Sequence, residues 1–345
     1  MPNKTPKKTF VPHNRPTLGR QEEKMAIEVI RSGWIAQGTA VENFENEICH
    51  YLGLPSGSAV AVSSGTAALY MTLAIYDAKE KNIAIPYYCC SSLRNATTLA
   101  GGIPLLVDSR IDSPNINIDA IDPSIDIAII PHLFGIPQKI SKGTSNTYFI
   151  EDCAQSLGAH IDGVRVGLQG DVGIFSFYAT KLITSGGQGG MIVSRDPAFI
   201  KELKDYRTCN QKDAQKNRFN FQMTDIQAAI GRAQLQQFTK FMKRREEIYL
   251  QYTDANFPLL NAESNIQPVR FRAILQTPRQ TEIISELAKN NIAAVIPIQQ
   301  SELIGSTENY PNASNWIHNT VSLPIYPSLR NEDVKRIIKI VKELL

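Results

Sequence analysis

Between residues 59 and 194 the chain alternates short runs of Val, Ile, Ala and Phe with longer stretches of helical spacing. The apolar runs fall at residues 59–63, 82–86, 103–108, 126–131, 147–152, 173–177 and 190–194. Most are short and almost continuously apolar, the pattern of strands covered on both faces. Residues 66–78, with Leu69, Leu73 and Ile75, predict a crossover helix between the first two. Strand, helix and strand in repetition predict an α/β fold with a mostly parallel central sheet flanked by helices.

The texture changes near residue 220. Residues 225–235 and 238–252 read as long helices with many Arg, Lys and Gln on their outer faces. Beyond them, 267–275 predicts a strand, 281–290 a helix and 292–297 another strand. The chain ends on an amphipathic helix. Its expected N-cap is Asn331, Glu332 and Asp333 suit the positive end of its dipole, and Val334, Ile337, Ile338, Val341 and Leu345 form its apolar stripe. The expected organisation is an N-terminal arm over 1–20, a large domain over 21–240 and a small C-terminal α+β domain over 241–345.

Composition narrows the function classes. The chain has 345 residues, 43% hydrophobic and 20% charged, as in an ordinary globular protein. A net charge of +3 is too small to argue for nucleic acid. Lys4, Lys7 and Lys8 sit in a polar start that reads as a loose, solvated arm. No leader-like apolar stretch and no membrane-spanning run is present, so the expected location is the cytoplasm. Five cysteines, Cys49, Cys89, Cys90, Cys153 and Cys209, include no C-x-x-C pair, and the histidines show no ligand spacing. Neither a disulfide framework nor a metal site is expected.

Three segments carry candidate chemistry. Ser63-Ser64-Gly65-Thr66-Ala67-Ala68 follows an apolar run and opens a helix, a place where free amides bind phosphate and where Ser or Thr simply caps. Tyr148-Phe149-Ile150-Glu151-Asp152-Cys153-Ala154-Gln155 ends a strand in acidic residues, at the sheet edge where open α/β folds bind ligands. An Asp there also serves as a helix cap or a metal ligand. Gly173-Ile174-Phe175-Ser176-Phe177-Tyr178-Ala179-Thr180-Lys181 leads into a glycine-rich turn, Gly186-Gly187-Gln188-Gly189-Gly190. A lysine set between an apolar strand and close-packed backbone is desolvated, which lowers its pKa and frees its amine as a nucleophile.

In this order the segments resemble the DegT/StrS family, fold-type-I enzymes that use pyridoxal 5'-phosphate (PLP) to aminate nucleotide-linked keto sugars. The resemblance covers nearly the whole chain. It begins at Ser32-Gly33-Trp34 with Gly38 and includes His132-Leu133-Phe134-Gly135, Asn220-Phe221-Gln222-Met223 with Gln227-Ala228-Ala229, Leu323-Pro324 and Tyr326-Pro327. It implies that Lys181 carries the cofactor covalently and that Asp152 pairs with the ring nitrogen. Gln155 would bond the ring oxygen, Ala154 would lie against a ring face, and Gly65, Thr66 and Ser176 would hold the phosphate. Asn220 would reach the cofactor phosphate of the other subunit of a homodimer.

The departures concern the substrate end. Cys90 stands where an aromatic usually stacks on the ring, with Tyr88 as the alternative. Gln188 replaces a common Glu, Gln222 a common Arg, and residues 294–300 lack the usual His-Tyr and His. The resemblance implies an aminotransferase moving an amino group from an amino acid, glutamate in the family, to a nucleotide-linked keto sugar. A different keto acceptor such as a cyclitol, or a regulatory protein on the same fold, are the alternatives. A sugar dehydratase is disfavoured, because those relatives replace the lysine by histidine.

Overall fold

The computed structural model describes residues 9–141, 146–208 and 218–345; Lys4, Lys7, Lys8 and Cys209 lie outside them. Every apolar run of the first two-thirds forms a strand, to within one residue at either end. These are β1 (Ala59–Val62), β2 (Asn82–Pro86), β3 (Ile103–Val107), β4 (Ile127–Pro131) and β5 (Tyr148–Asp152). A small hairpin, β6 (His160–Ile161) and β7 (Val164–Arg165), precedes β8 (Val172–Ser176) and β9 (Gly190–Ser194). The seven longer strands form one sheet in the order β1-β9-β8-β5-β4-β2-β3. The pairs β2·β3, β2·β4, β4·β5 and β5·β8 are parallel. β9 runs antiparallel to β8 and β1, because no crossover helix separates β8 from β9.

The helices α1 (Arg20–Ser32) and α2 (Thr39–Leu52) precede the sheet, and α3 (Gly65–Ile75) and α4 (Ser91–Leu99) cross over between its early strands. Next come α5 (Pro197–Arg207), α6 (Asp225–Gln236) and α7 (Phe238–Asp254). Strand alternation divides the burial between two faces. Ala59, Ala61, Phe175, Met191 and Val193 pack with Phe44 and Ile48 of α2, whereas Val60, Val62, Ile174 and Ile192 pack with α3 and α5. Burying each Ile, Val or Phe contributes roughly 1.5–3 kcal/mol, so both faces are strongly fixed. β3 departs from the expected double cover: it is an edge strand with Ile103 and Leu105 exposed. α3 is shorter than expected, since Asp77 turns into the left-handed region at φ 49.

The C-terminal part has its own core around β11 (Ala273–Gln276), β12 (Thr320–Leu323), α8 (Gln280–Lys289) and α10 (Asn331–Lys342), with Ile248, Tyr249 and Tyr252 of α7, while α9 (Pro311–His318) packs in a separate cluster with Tyr87, Tyr88 and Phe134. Four expectations fail here. The run 267–275 does not form one strand: β10 (Ile266–Gln267) pairs with β6, and Pro268, which lacks an N–H, ends that pairing before β11 begins. Residues 292–297 form only isolated bridges, Ile292 to Val11 and Val295 to Ser322. α10 is capped by Arg330 in extended conformation, while the Asn331 side chain accepts from Arg244 Nη2 at 2.7 Å and ties α7 to α10. Val334, Ile337 and Val341 are buried and Ile338 is partly so, but Leu345 is exposed.

The N-terminal segment packs from Val11 onward, whereas Thr9 and Phe10 are exposed. Val11 is buried, exchanging backbone bonds with Asn291 and Ala293, and Asn14 donates to Thr180 O at 2.8 Å, next to Lys181. No helix among the described residues is long and apolar enough to cross a membrane.

Candidate active site

The cavity at the carboxyl edge of the sheet is built first from helix starts. Ser64 caps α3 by accepting from Ala67 N at 3.0 Å, so the capping role is real. The amides of Gly65 and Thr66, in the same first turn, have no intrahelical acceptor and remain for an anion. Cap and anion site therefore coexist. Glycine is required by close approach: a Cβ at Gly190 would stand 2.3 Å from Ser64 O, and one at Gly65 3.0 Å from Ser176 Cβ. α4 starts at the same cavity, with Cys90 in the cap position and its Sγ 2.9 Å from Ser92 Oγ. Two positive helix ends thus converge on one small space.

β5 supplies the carboxylates, and alternation sends them to opposite faces of the sheet. Glu151 is fully buried and accepts from the amides of Gly167, Gln169 and Gly170 at 2.7–2.8 Å. His132 Nδ1 accepts from Gln138 N at 3.0 Å, so Nε2 carries the proton and donates to Glu151 at 2.9 Å. Cys153 lies within ligand distance of this pair, yet the ring nitrogens and carboxylate are already engaged. The cluster is a hydrogen-bond hub that pins loop 167–170 under the site. Glu151→Gln, which keeps the shape but loses acceptor capacity toward these donors, is expected to cost roughly 3 kcal/mol. Urea denaturation measures this, and an unchanged midpoint would show that the hub does not hold the loop.

Asp152 is buried, and burial raises its carboxyl pKa against the opposing effects of the Ala154 amide, Lys181 and His132. Oδ1 accepts from Ala154 N at 3.0 Å, leaving the second oxygen for a ligand. Lys181 sits in the connection from β8 to β9, whose backbone is fixed by Phe177 N to Gly189 O, Ala179 N to Gly187 O and Lys181 N to Tyr178 O. Desolvation lowers its ammonium pKa; Cys90 and Asp152 raise it, Arg272 lowers it and Glu302 raises it. An amine so placed is neutral at lower pH than a free lysine.

The cavity has a volume of about 290 Å³, suited to a small ligand. Gly65, Thr66, Cys90, Asp152, Ala154, Gln155, Ser176 and Lys181, gathered from separate segments, all line it. Asn220 does not; it is exposed, with its Oδ1 accepting from Gln222 N at 3.3 Å. Tyr88 does not line it either. It is fully buried in a core cluster with Phe134, so the position beside the cavity belongs to Cys90, whose thiol burial keeps protonated.

Ser64, Ser92 and Tyr178 also line the cavity, although sequence reasoning did not single them out as site residues. Their adjacency to Gly65, Cys90 and Lys181 was the available signal. The turn 132–135 has a positioning role. Phe134, held at φ 59, donates its amide to Gln155 Oε1 at 2.8 Å and so orients that side chain at the cavity. Gln188 lines the cavity mouth, while Gln222 lies outside it, bridged to Val62.

A mostly parallel sheet with a buried Asp at one strand end, and a desolvated lysine in the next strand connection, is fold type I of the PLP-dependent transferases. Solved structures superpose over almost the full length. Spr1654 of Streptococcus pneumoniae in its PLP form has a TM-score of 0.88, 23% identity and coverage of 97% of this chain and 98% of that one. Helicobacter pylori PseC, an aminotransferase involved in pseudoaminic acid biosynthesis, has a TM-score of 0.86, 21% identity and coverage of 97% and 99%.

The chain belongs to the DegT/DnrJ/EryC1/StrS aminotransferase family, whose profile matches residues 16–342. Among its relatives, an uncharacterized protein of Methanocaldococcus jannaschii is 31% identical, with 98% of each chain covered. A GDP-perosamine synthase of Vibrio cholerae is 27% identical, with 96% of this chain and 98% of that one covered.

Proposed function

We propose that this aminotransferase moves an amino group from an amino acid, glutamate in the first instance, to a keto sugar linked to a nucleotide. The observation that carries the reading is the cavity itself, which sets Lys181 and Asp152 between two helix N-termini. Its residues fit PLP: free amides for a phosphate, a buried carboxylate for a pyridinium, and an amine of lowered pKa for an aldehyde. When bound, that cofactor supplies an electron-withdrawing ring that stabilises negative charge at the donor α-carbon. Asp152 would keep a proton on the ring nitrogen. Lys181 Nζ would hold the aldehyde and, when free, would carry a proton to and from the donor carbon. Ser176 and the first turn of α3 would hold the phosphate, and Gln155 would bond the ring oxygen. The GDP-perosamine synthase activity of a relative supports a nucleotide-sugar acceptor. Screening nucleotide-linked keto sugars with glutamate, with mass spectrometry of the products, tests the reading. Amination of none of them, with turnover on a keto cyclitol instead, would refute it.

The working unit is a homodimer with sites built from both chains. Asn220 is exposed and away from its own chain's cavity, next to the exposed Phe219, which suits a role across a twofold interface. Mixing a Lys181→Ala chain with an Asn220→Ala chain is expected to restore activity, because one site of the mixed dimer carries neither lesion. Full activity of Asn220→Ala alone, or an active monomer in sedimentation, contradicts the shared site.

A further inference from the structure

Arg272, at the entry to β11, is a deeply set arginine without an acidic partner. Arg207 pairs with Glu45 at 2.6 Å, and Arg245 donates to the carbonyls of Arg270, Phe271 and Ile325. Arg272 Nη1 instead meets the Ser322 hydroxyl and His13 Nε2, each at 3.2 Å. His13 offers no negative charge to it and is held neutral, its pKa pushed down to about 3 by burial and then by Arg272 itself. Arg272 Nε is buried with no partner, and no carboxylate lies within ion-pair distance of the guanidinium among the described residues. Its pKa is lowered by desolvation to about 10, so it remains charged at neutral pH.

Buried without a paired carboxylate, this cation carries a desolvation cost that Ser322, the Phe271 ring, Tyr88 and the more distant Glu302 offset only in part. Its location says what offsets the rest. The Phe271 ring has Lys181 Nζ on one approach and the Arg272 guanidinium on another, each 5.5 Å from the ring centroid. The two cationic groups thus flank one ring, and Arg272, although not among the residues lining the cavity, is near enough for its charge to lower the Lys181 pKa. The side chain also keeps part of its surface accessible, so a ligand can reach it.

We propose that Arg272 is the seat for a carboxylate of the amino-acid donor, holding the donor so that its amine meets the cofactor at Lys181; this rests on the aminotransferase reading above. The guanidinium fork suits a planar carboxylate, and anchoring one end of the donor converts its approach into a near-attack geometry. Seating the carboxylate also has a consequence for Lys181. Arg272 depresses the Lys181 ammonium pKa, and a bound anion cancels that field, raising the basicity of Lys181 at the stage where it takes a proton.

The experiment compares Arg272→Gln and Arg272→Lys with the original holoenzyme. Glutarate, an unreactive dicarboxylate, is titrated by calorimetry, and the donor half-reaction is followed with glutamate and with an alkylamine that has no carboxylate. Arg272→Gln is expected to weaken glutarate at least 50-fold and raise the half-saturating glutamate concentration about 100-fold, while changing the slow alkylamine rate far less, by no more than the shift in Lys181 basicity accounts for. Arg272→Lys recovers part of the loss, which also separates recognition from a folding defect read by thermal melting. Equal glutarate affinity in all three proteins, or no glutarate binding to the original, overturns the proposal. So does a normal donor half-reaction in Arg272→Gln with a failing acceptor half-reaction, which assigns the cation to the acceptor. If glutarate binding depends on Arg272 while the original protein does not transaminate glutamate, the seat stands and the donor reading fails.

Discussion

Replacing Lys181 by Ala is expected to lower transamination by about 10⁴-fold or more and to abolish covalent retention of the cofactor. No other lysine among the residues lining the cavity can take its place. The expected loss follows from the two functions proposed for one atom, since Nζ would both hold the aldehyde and move the proton. Its surroundings set the proton affinity of that atom. Burial favours the free amine, while the negative charge that Cys90 and Asp152 can carry restrains the shift. Borohydride trapping of PLP-loaded protein, followed by peptide mapping, reads the covalent function directly. A pyridoxyl label on Lys201 or Lys204, which line a different surface cavity behind α5, would sink the assignment.

Asp152→Asn is expected to leave the cofactor bound but to slow the donor half-reaction on the order of 10³-fold, as for loss of one strong electrostatic stabiliser. The shape of the side chain survives, and its oxygen can still accept from Ala154 N as Asp152 Oδ1 does at 3.0 Å. What is lost is the negative charge beside the ring nitrogen. Burial raises the Asp152 carboxyl pKa, and a pyridinium opposite it would favour the ionised form. Stopped-flow absorbance with glutamate measures the rate, and equilibrium dialysis checks retention. A half-reaction near the original rate would show that Asp152 is not the partner of the ring nitrogen.

The strands and much of this site were legible because both were written in local pattern. A run such as Ile127–Pro131 has one physical solution, a strand covered on both faces, and its ends were placed to within a residue. The order of the Ser-Gly-Thr, Glu-Asp and Ser-aromatic-Lys segments placed the cavity, because each ends a strand or opens a helix at the same sheet edge. The C-terminal part was less legible. The stretch 267–275 is apolar enough for one strand, but Gln267 pairs with β6 and Ala273 pairs with β12. Pattern cannot foresee two different partners. Asn331 had the composition of a helix cap, yet its side chain is spent on Arg244, 87 positions earlier in sequence.

By itself, then, the sequence determined the mostly parallel sheet, the family, the lysine and the buried carboxylate, since periodicity and motif order are properties of contiguous residues. Tertiary structure alone decided which of Tyr88 and Cys90 faces the cavity, how Glu151 and His132 pin the loop beneath it, and where Arg272 lies relative to Lys181. Those choices depend on contacts between segments far apart in the chain, such as Arg272 with His13 and Ser322, whose energies no local window contains.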